Sequence, residues 1–331
     1  MTPGWITEDV AVAAAALRAG GLVAFPTETV YGLGALADDE EAVARIFTAK
    51  GRPRAHPVIV HVAAADGLDR YAEQVPDYAR RLVERAWPGP LTVVVPRHPG
   101  VATAAAGGAA TVGVRCPAHP VAHALLTAVG SGVAAPSANR FGRVSPTTAA
   151  HVVAELGTRL DPHRDRVLDG GACPVGIEST IVDCCGERPV IVRSGRVTQR
   201  DVEEWAGVPT AATGPASAAP GTLAAHYAPS AQVSICDEGE PLLDLVKRES
   251  LRGPVGLIAP ADVADVPGAE RLAAPRDEDE YAQVLYASLR AADDAGMASV
   301  VVVPPPPHGV GVAVRDRLTR AEHGSRSATN G

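Results

Sequence analysis

Residues 25–34 read FPTETVYGLG. An apolar run, Leu22 to Phe25, stops at Pro26; two threonines then bracket Glu28, and a lone Tyr31 precedes Gly-x-Gly. The apolar run reads as a strand, and the proline and glycines as the turn that leads on to a helix. Such a turn needs one capping residue and one glycine. This one carries Thr27, Thr29, Tyr31 and the only carboxylate between residues 10 and 37. A surplus of polar groups at the carboxyl end of a strand points to a ligand site, with glycines that let the backbone approach the ligand.

Outward from this stretch, apolar β-rich runs alternate with helical patterns through residue 206, which reads as an α/β domain. Strands are expected at 22–26, 58–62, 91–96, 110–115, 132–136 and in RVLDGG, STIVDCC and PVIVRSG; helices at 40–50, 76–87, 119–130, 145–157 and 198–207. Ser145, followed by proline, is the N-cap candidate of the 145–157 helix, and Thr198 that of the last. Residues 208–229 contain no Asp, Glu, Lys or Arg and are rich in Pro, Gly, Ala, Ser and Thr, a linker composition. A second, smaller α/β unit follows, with strands at 231–236, 254–259 and 298–303 and helices near 278–295 and 310–323. The last residues, HGSRSATNG, read as disordered.

The chain has 331 residues, 46% of them hydrophobic but only 4% aromatic, so its cores are built from Val, Leu, Ile and Ala. Five cysteines without a C-x-x-C spacing indicate neither a disulfide frame nor a zinc site, and Cys184 and Cys185 read as strand filler. No apolar run is long enough to span a bilayer and the N-terminus has no basic leader, which leads us to expect a cytoplasmic protein. The net charge of −8 argues against a nucleic-acid-binding protein as such.

Acidic residues are absent from 42–65 and from 85–154, although about 8 would be expected in the longer window from the chain's average. Arg45, Lys50, Arg52 and Arg54 remain in the first window, and Arg85, Arg97, Arg115, Arg140 and Arg143 in the second. Cations without carboxylates suggest a pocket for an anionic ligand; buried β-structure with Gly/Ala-rich loops is the plainer alternative. Lys50 is one of only two lysines in the chain, which suggests a need for a compact ammonium, as at a phosphate oxygen. Arg115 ends an apolar strand and must find an anion, either a ligand or an internal acid. His61 interrupts the run VIVHV, as a satisfied core residue or as a ligand group. Ser137, Asn139 and Ser145 surround a strand end, where hydroxyls and amides suit ribose, base or phosphate. There is no P-loop, H-E-x-x-H or G-x-S-x-G, and YGLGAL is not a dinucleotide fingerprint.

FPTETVYGLG, KGRPRAHPVIVH, VGVRCP, PSAN, GIESTI and VRSG, in this order, resemble the YrdC-like family of threonylcarbamoyl-AMP synthases. PGTLAAHYAP and the ending GVGVAVRDRLTRA are similar to the two-domain form of that family. The resemblance implies an α/β fold: a YrdC-like twisted mixed sheet with helices, plus a smaller C-terminal Rossmann-like α/β domain. It implies a catalytic domain over 1–207, a linker and active-site lid over 208–229, a C-terminal domain over 230–325 and a flexible tail over 326–331. The implied activity joins L-threonine, bicarbonate or CO2, and ATP into threonylcarbamoyl-AMP with release of pyrophosphate, for tRNA threonylcarbamoyladenosine modification. By motif position, Thr27, His61, Arg115, Ala135 and Ser179 would bind threonine, with Arg115 on its carboxylate. Lys50, Arg52, His56, Thr111, Ser137, Asn139, Ser145, Arg193, His226 and Tyr227 would surround ATP. Lys50 and Arg52 would be the catalytic cations, and Tyr227 would cover the nucleotide from the lid. Mg2+ is expected with ATP and no protein metal site. The product would pass to a tRNA threonylcarbamoyl transfer machinery, with no stable nucleic-acid or membrane binding by this chain. The position of His56 is often Asn in this family, and the usual lysine-rich stretch before HYAP is here TLAA. Glu28 has two open roles: to orient a cation, or to help the threonine amine lose its proton.

Three rival readings remain at this level. An RNA-binding module would need a basic surface that the net charge and the scarcity of lysine do not supply. A hydrogenase-maturation type carbamoyltransferase would need zinc-finger cysteines. A regulatory nucleotide-binding protein finds support only in the unexplained second domain.

Overall fold

The computed structural model describes residues 4–212, 226–236 and 238–329. It divides into two compact units. In the first, the chain runs β1 (Ile6–Thr7), α1 (Val10–Arg18), β2 (Val23–Phe25), β3 (Gly32–Leu36), α2 (Glu40–Lys50), β4 (Val60–His61), α3 (Gly67–Tyr71), α4 (Asp77–Ala86), β5 (Leu91–Pro96), β6 (Thr111–Arg115), α5 (Pro120–Val129), β7 (Val133–Ala134), α6 (Ala149–Leu156), β8 (Arg166–Leu168), β9 (Thr180–Asp183), β10 (Val190–Arg193) and α7 (Gln199–Ala206). Among the described residues these strands form one mixed sheet in the order β1-β8-β2-β3-β7-β4-β6-β5-β9-β10.

The opening stretch is not a strand-to-helix turn. It is the connection of an antiparallel hairpin, with Phe25 opposite Gly32 and Val23 opposite Gly34. The two glycines lie on β3. A Cβ on Gly34 would come within 2.7 Å of a Val133 methyl and 2.9 Å of the Phe25 ring, so the glycine makes room for the neighbouring side chains.

Side-chain alternation sorts the sheet into two faces. Leu22, Ala24, Val60, Val93, Val95, Val112, Val114 and Val182 join the main core with residues of α2, α4, α6 and α7. On the opposite face, α1 and α5 cover Val23, Phe25, Val133 and Leu168. Further along that same face lies a small cluster of Ile59, Val94 and Ile181. There a shallow groove runs over Pro57, Ile59, Thr92, Thr111 and Gly113.

Helices agree with the sequence patterns where caps define them. α2 starts behind Asp39 and ends at left-handed Gly51; α7 has a capping box between Thr198 and Asp201. The 145–157 helix starts later than expected. Its N-cap is Thr148, whose hydroxyl accepts from His151 N, not Ser145. The Pro146 carbonyl instead accepts from Tyr31 N at 2.9 Å. The elements β1, β3, α1 and α3 went unread because they are short or built of Gly and Ala.

The second unit contains β11 (Gln232–Ile235), α8 (Leu242–Ser250), β12 (Val255–Ile258), β13 (Glu270–Ala273), α9 (Glu278–Asp294), β14 (Ser299–Val302) and α10 (Gly311–Thr329). Its four strands are parallel, in the order β11-β14-β12-β13. α8 and β13 had no sequence expectation. Residues 142–145 and 175–177 group with this unit, so the division is interleaved where the sequence suggested one boundary. Gly176, at φ +82°, sits against α9, where a Cβ would lie 2.4 Å from the Ala282 carbonyl oxygen.

The expected tail from 326 is helical through Thr329; residues 330–331 lie outside the described residues. Its end is anchored to the edge strand. Ser325 Oγ accepts from Val233 N at 3.0 Å, and Glu322 Oε1 from Ile235 N at 3.1 Å. These are the N–H groups that β11 turns away from β14, so α10 satisfies the free edge of the sheet. Of the expected lid, residues 213–225 lie outside the described residues.

Candidate functional site

Alternation places the expected site residues on the sheet face opposite the main core. His61 on β4 and Arg115 on β6 are direct cross-strand neighbours. Ala135 follows β7 and donates its N–H to the Ile59 carbonyl at 2.9 Å. On β5, Thr92 has the parity of Val94, and its hydroxyl meets that of Ser179 at 2.8 Å. Arg193 would face the core by simple alternation, but a β-bulge between Ile191 and Arg193 sets it opposite Ile181, on the site face. Its Nη2 then donates to the Ser179 carbonyl at 2.8 Å and to Ser179 Oγ at 3.2 Å. A row of polar residues thus crosses adjacent strands from β7 to β10.

The hairpin connection after β2 closes one end of the row. Thr27 Oγ1 donates to the Val30 carbonyl at 2.6 Å and accepts from Thr29 N and Val30 N, so it holds its own turn. Arg115 is buried, with Nε on the Gly89 carbonyl at 3.2 Å and Nη1 on Thr29 Oγ1 at 2.9 Å. Its Nη2 lies 2.7 Å from Glu28 Oε1, and Glu28 Oε2 accepts from Ala118 N at 3.1 Å. The acid that Arg115 needs is therefore supplied from the distant opening stretch. Burial, and then the Arg115 charge, push the His61 pKa down to about 3, so its ring is neutral.

A second cluster gathers Lys50 and Arg52, two of the expected nucleotide cations. Lys50, the last residue of α2, donates through Nζ to the carbonyls of Ser137 and Asn139, each at 2.5 Å. Burial and then the neighbouring Arg52 charge hold its pKa well below the ordinary lysine value. Arg52 donates to the Pro57 carbonyl at 2.9 Å and lies 5.8 Å from the centre of the Phe141 ring, which His56 also meets at 5.8 Å. Asn139 Nδ2 bonds the Arg140 carbonyl. Phe141 had drawn no notice in the sequence, where nothing distinguishes a ring used as a platform. Both cations are buried, and Glu155 is a carboxylate whose charge reaches Lys50. Gly32 bridges to Ser137 and Leu33 N bonds the Pro136 carbonyl, which ties this cluster to the hairpin. Thr111 opens β6 beside the groove.

Ser145, His226 and Tyr227 belong to the second unit. Arg290 there donates to the carbonyls of Val144 and Ser145. Tyr227 has φ 61° and is buried; its ring stacks on Tyr286 at 5.5 Å, with Arg317 5.5 Å from its centre and His226 edge-on at 4.1 Å. The ring expected to cover a nucleotide is held in this structure by its own unit.

Comparison with known proteins now adds to this geometry. The family model of Sua5, YciO and YrdC, described as "Telomere recombination", matches residues 15–195. A model described as "Threonylcarbamoyl-AMP synthase, C-terminal domain" matches residues 197–322. The threonylcarbamoyl-AMP synthase of Bacillus subtilis is 36% identical over 327 residues, covering 96% of this chain and 93% of the relative. That of Pyrococcus abyssi is 38% identical over 327 residues, covering 94% and 93%. A crystal structure of P. abyssi Sua5 complexed with L-threonine superposes with a TM-score of 0.85 at 36% identity, over 96% of this chain and 94% of that one.

A mixed YrdC-type sheet carrying the polar row, followed by a parallel Sua5-type C-terminal sheet, defines the class. The chain belongs to the Sua5/YciO/YrdC family, with the domain pair of its threonylcarbamoyl-AMP synthases.

Proposed function

We propose that this enzyme is an L-threonylcarbamoyladenylate synthase, a nucleotidyltransferase that condenses L-threonine, bicarbonate or CO2, and ATP. The observation that carries this reading is the row itself: Ala135, His61, Arg115, Ser179 and Arg193 share one sheet face, next to the Lys50–Arg52 cluster. The full-length likeness to named threonylcarbamoyl-AMP synthases supports it.

Arg115 takes the threonine carboxylate, and His61, neutral, offers a ring nitrogen without adding charge. The backbone at Ala135 and the Thr27 and Ser179 hydroxyls complete the amino-acid subsite. The threonine amine attacks the carbon of CO2 and loses a proton, which gives a carbamate. A carbamate oxygen then attacks the α-phosphorus of ATP; the bond from that phosphorus to the bridging oxygen breaks, and pyrophosphate leaves. Such a transfer depends on alignment and charge neutralisation more than on a nucleophilic side chain. Lys50 and Arg52 supply that neutralisation. Phosphate oxygens beside Lys50 also restore its ammonium, which burial disfavours. His56, Thr111, Ser137, Asn139 and Arg193 position the rest of the nucleotide, and Ser145, His226 and Tyr227 keep the ATP role that the family resemblance implies. The donor set of the pocket is poor in carboxylates, and Glu28 is committed to Arg115 and Ala118. Mg2+ therefore enters with the triphosphate, as part of the substrate.

The product would pass to partner enzymes that transfer the threonylcarbamoyl group to tRNA, in the cytoplasm. No described helix is long and apolar enough to cross a membrane. The test is pyrophosphate release from Mg·ATP by the full chain. Release should require both L-threonine and bicarbonate; release independent of threonine refutes the synthase reading.

A further inference from the structure

Among the described residues, three buried polar atoms at one end of the row lack a hydrogen-bond partner: Glu28 Oε1, Arg115 Nη2 and His61 Nδ1. Glu28 Oε1 and Arg115 Nη2 are nevertheless only 2.7 Å apart. Their charges touch, but the angle does not make a hydrogen bond. Arg115's other two nitrogens are in use, Nε by the Gly89 carbonyl and Nη1 by Thr29. Those two contacts fix the fork, and they leave Nη2 as the position that faces an anion. Among the described residues, Glu28 is the one acid within ion-pair distance of Arg115.

We propose that Glu28 is the resident counter-ion of the carboxylate subsite: it neutralises Arg115 in the empty pocket, and the substrate carboxylate displaces it. Glu28 thereby sets the affinity for the amino acid. The inference rests on the reading, given above, that Arg115 takes the threonine carboxylate. A buried guanidinium without an anion is strongly disfavoured, so an empty pocket without an internal acid would be unstable. The same acid competes with every incoming carboxylate. Glu28 Oε2 stays tethered to Ala118 N, so only Oε1 has to give way. The neutral pair also offers little net charge to the triphosphate, which keeps the amino-acid subsite for a zwitterion.

The test compares L-threonine with L-threoninamide, which has the same shape without the carboxylate charge. Both are titrated calorimetrically into the full chain at about pH 6, where the α-amines carry their proton. Wild type should prefer threonine, and Glu28→Gln should increase that preference by about tenfold or more, because the freed Arg115 has no other anion. A purely structural role would weaken both ligands alike and leave the ratio unchanged; an unchanged or smaller ratio overturns the inference. If wild type itself shows no preference, the assignment of Arg115 to the carboxylate fails, and the inference with it. Glu28→Asp, which draws the charge back by one methylene, should move the ratio in the same direction by less, and serves if Glu28→Gln does not fold. Independently of any variant, a wild-type structure with L-threonine should show the Oε1–Nη2 contact opened beyond 2.7 Å. An intact contact, with the carboxylate bound elsewhere, would also overturn it.

Discussion

His61 gives the structure a measurable sensitivity to acid. Its ordinary pKa of 6.5 is pushed down to about 3 in the folded chain, first by burial and then by Arg115. Between those values the unfolded chain binds a proton that the folded chain refuses. Stability is therefore lost as pH falls through about 6.5 toward 3, and little of this loss occurs above the unfolded value. Integrated from pH 7 to pH 5, one such histidine costs about 2 kcal/mol, provided only that the folded pKa stays well below 5. For a domain of this size that is a fall in Tm of roughly 4–8 °C. The perturbation is His61→Gln, which keeps a polar side chain but has nothing to titrate. Thermal unfolding of ligand-free wild type and variant at the two pH values gives a double difference in which the other ionisable groups cancel. Wild type should lose the additional 4–8 °C. Equal losses in both proteins would show that His61 is charged or solvated in the fold, and would refute the neutral-ring role given to it.

Arg115→Ala should raise the threonine KM about 10- to 100-fold while leaving the ATP KM near its wild-type value; steady-state kinetics showing equal effects on both would remove Arg115 from the carboxylate subsite. Gly34→Ala should lower stability by about 1–3 kcal/mol in urea titrations, because the new methyl meets Val133 and Phe25; an unchanged midpoint would mean that β3 shifts freely. Tyr227→Ala empties the space between Tyr286 and Arg317 and should cost the second unit about 3–5 kcal/mol, read by limited proteolysis and melting; a second unit as resistant as wild type would refute that packing.

What could be read from the sequence was local. The helix 40–50 was legible because Ala42, Ile46 and Ala49 share one helical face; its caps, Asp39 and Gly51, are seen in the structure. Lys50 stood out because lysine is scarce. The identity of the row was legible through its motifs, and its common face followed once strand parity was known. Three things escaped for physical reasons. β3 is a strand in which glycine replaces side chains to accommodate Phe25, so it lacks β-branched signal. The facing of Arg193 is decided by a bulge, which alternation cannot foresee. The partner of Arg115 was sought among nearby acids, whereas Glu28 reaches it across the sheet from a remote part of the chain. Long-range pairing of that kind is a property of the assembled sheet, not of any window in the sequence.

The anchoring of α10 on β11 has a practical consequence. The last residues of the chain look dispensable by composition, and a protein engineer would remove them to tidy a sample. Shortening the chain before Ser325 would bare the Val233 N–H, and shortening it before Glu322 would bare that of Ile235 as well. A parallel sheet with an unguarded outer strand is a template for a second molecule. The truncated protein would then fail by sticking to copies of itself in storage, with its catalytic sheet intact.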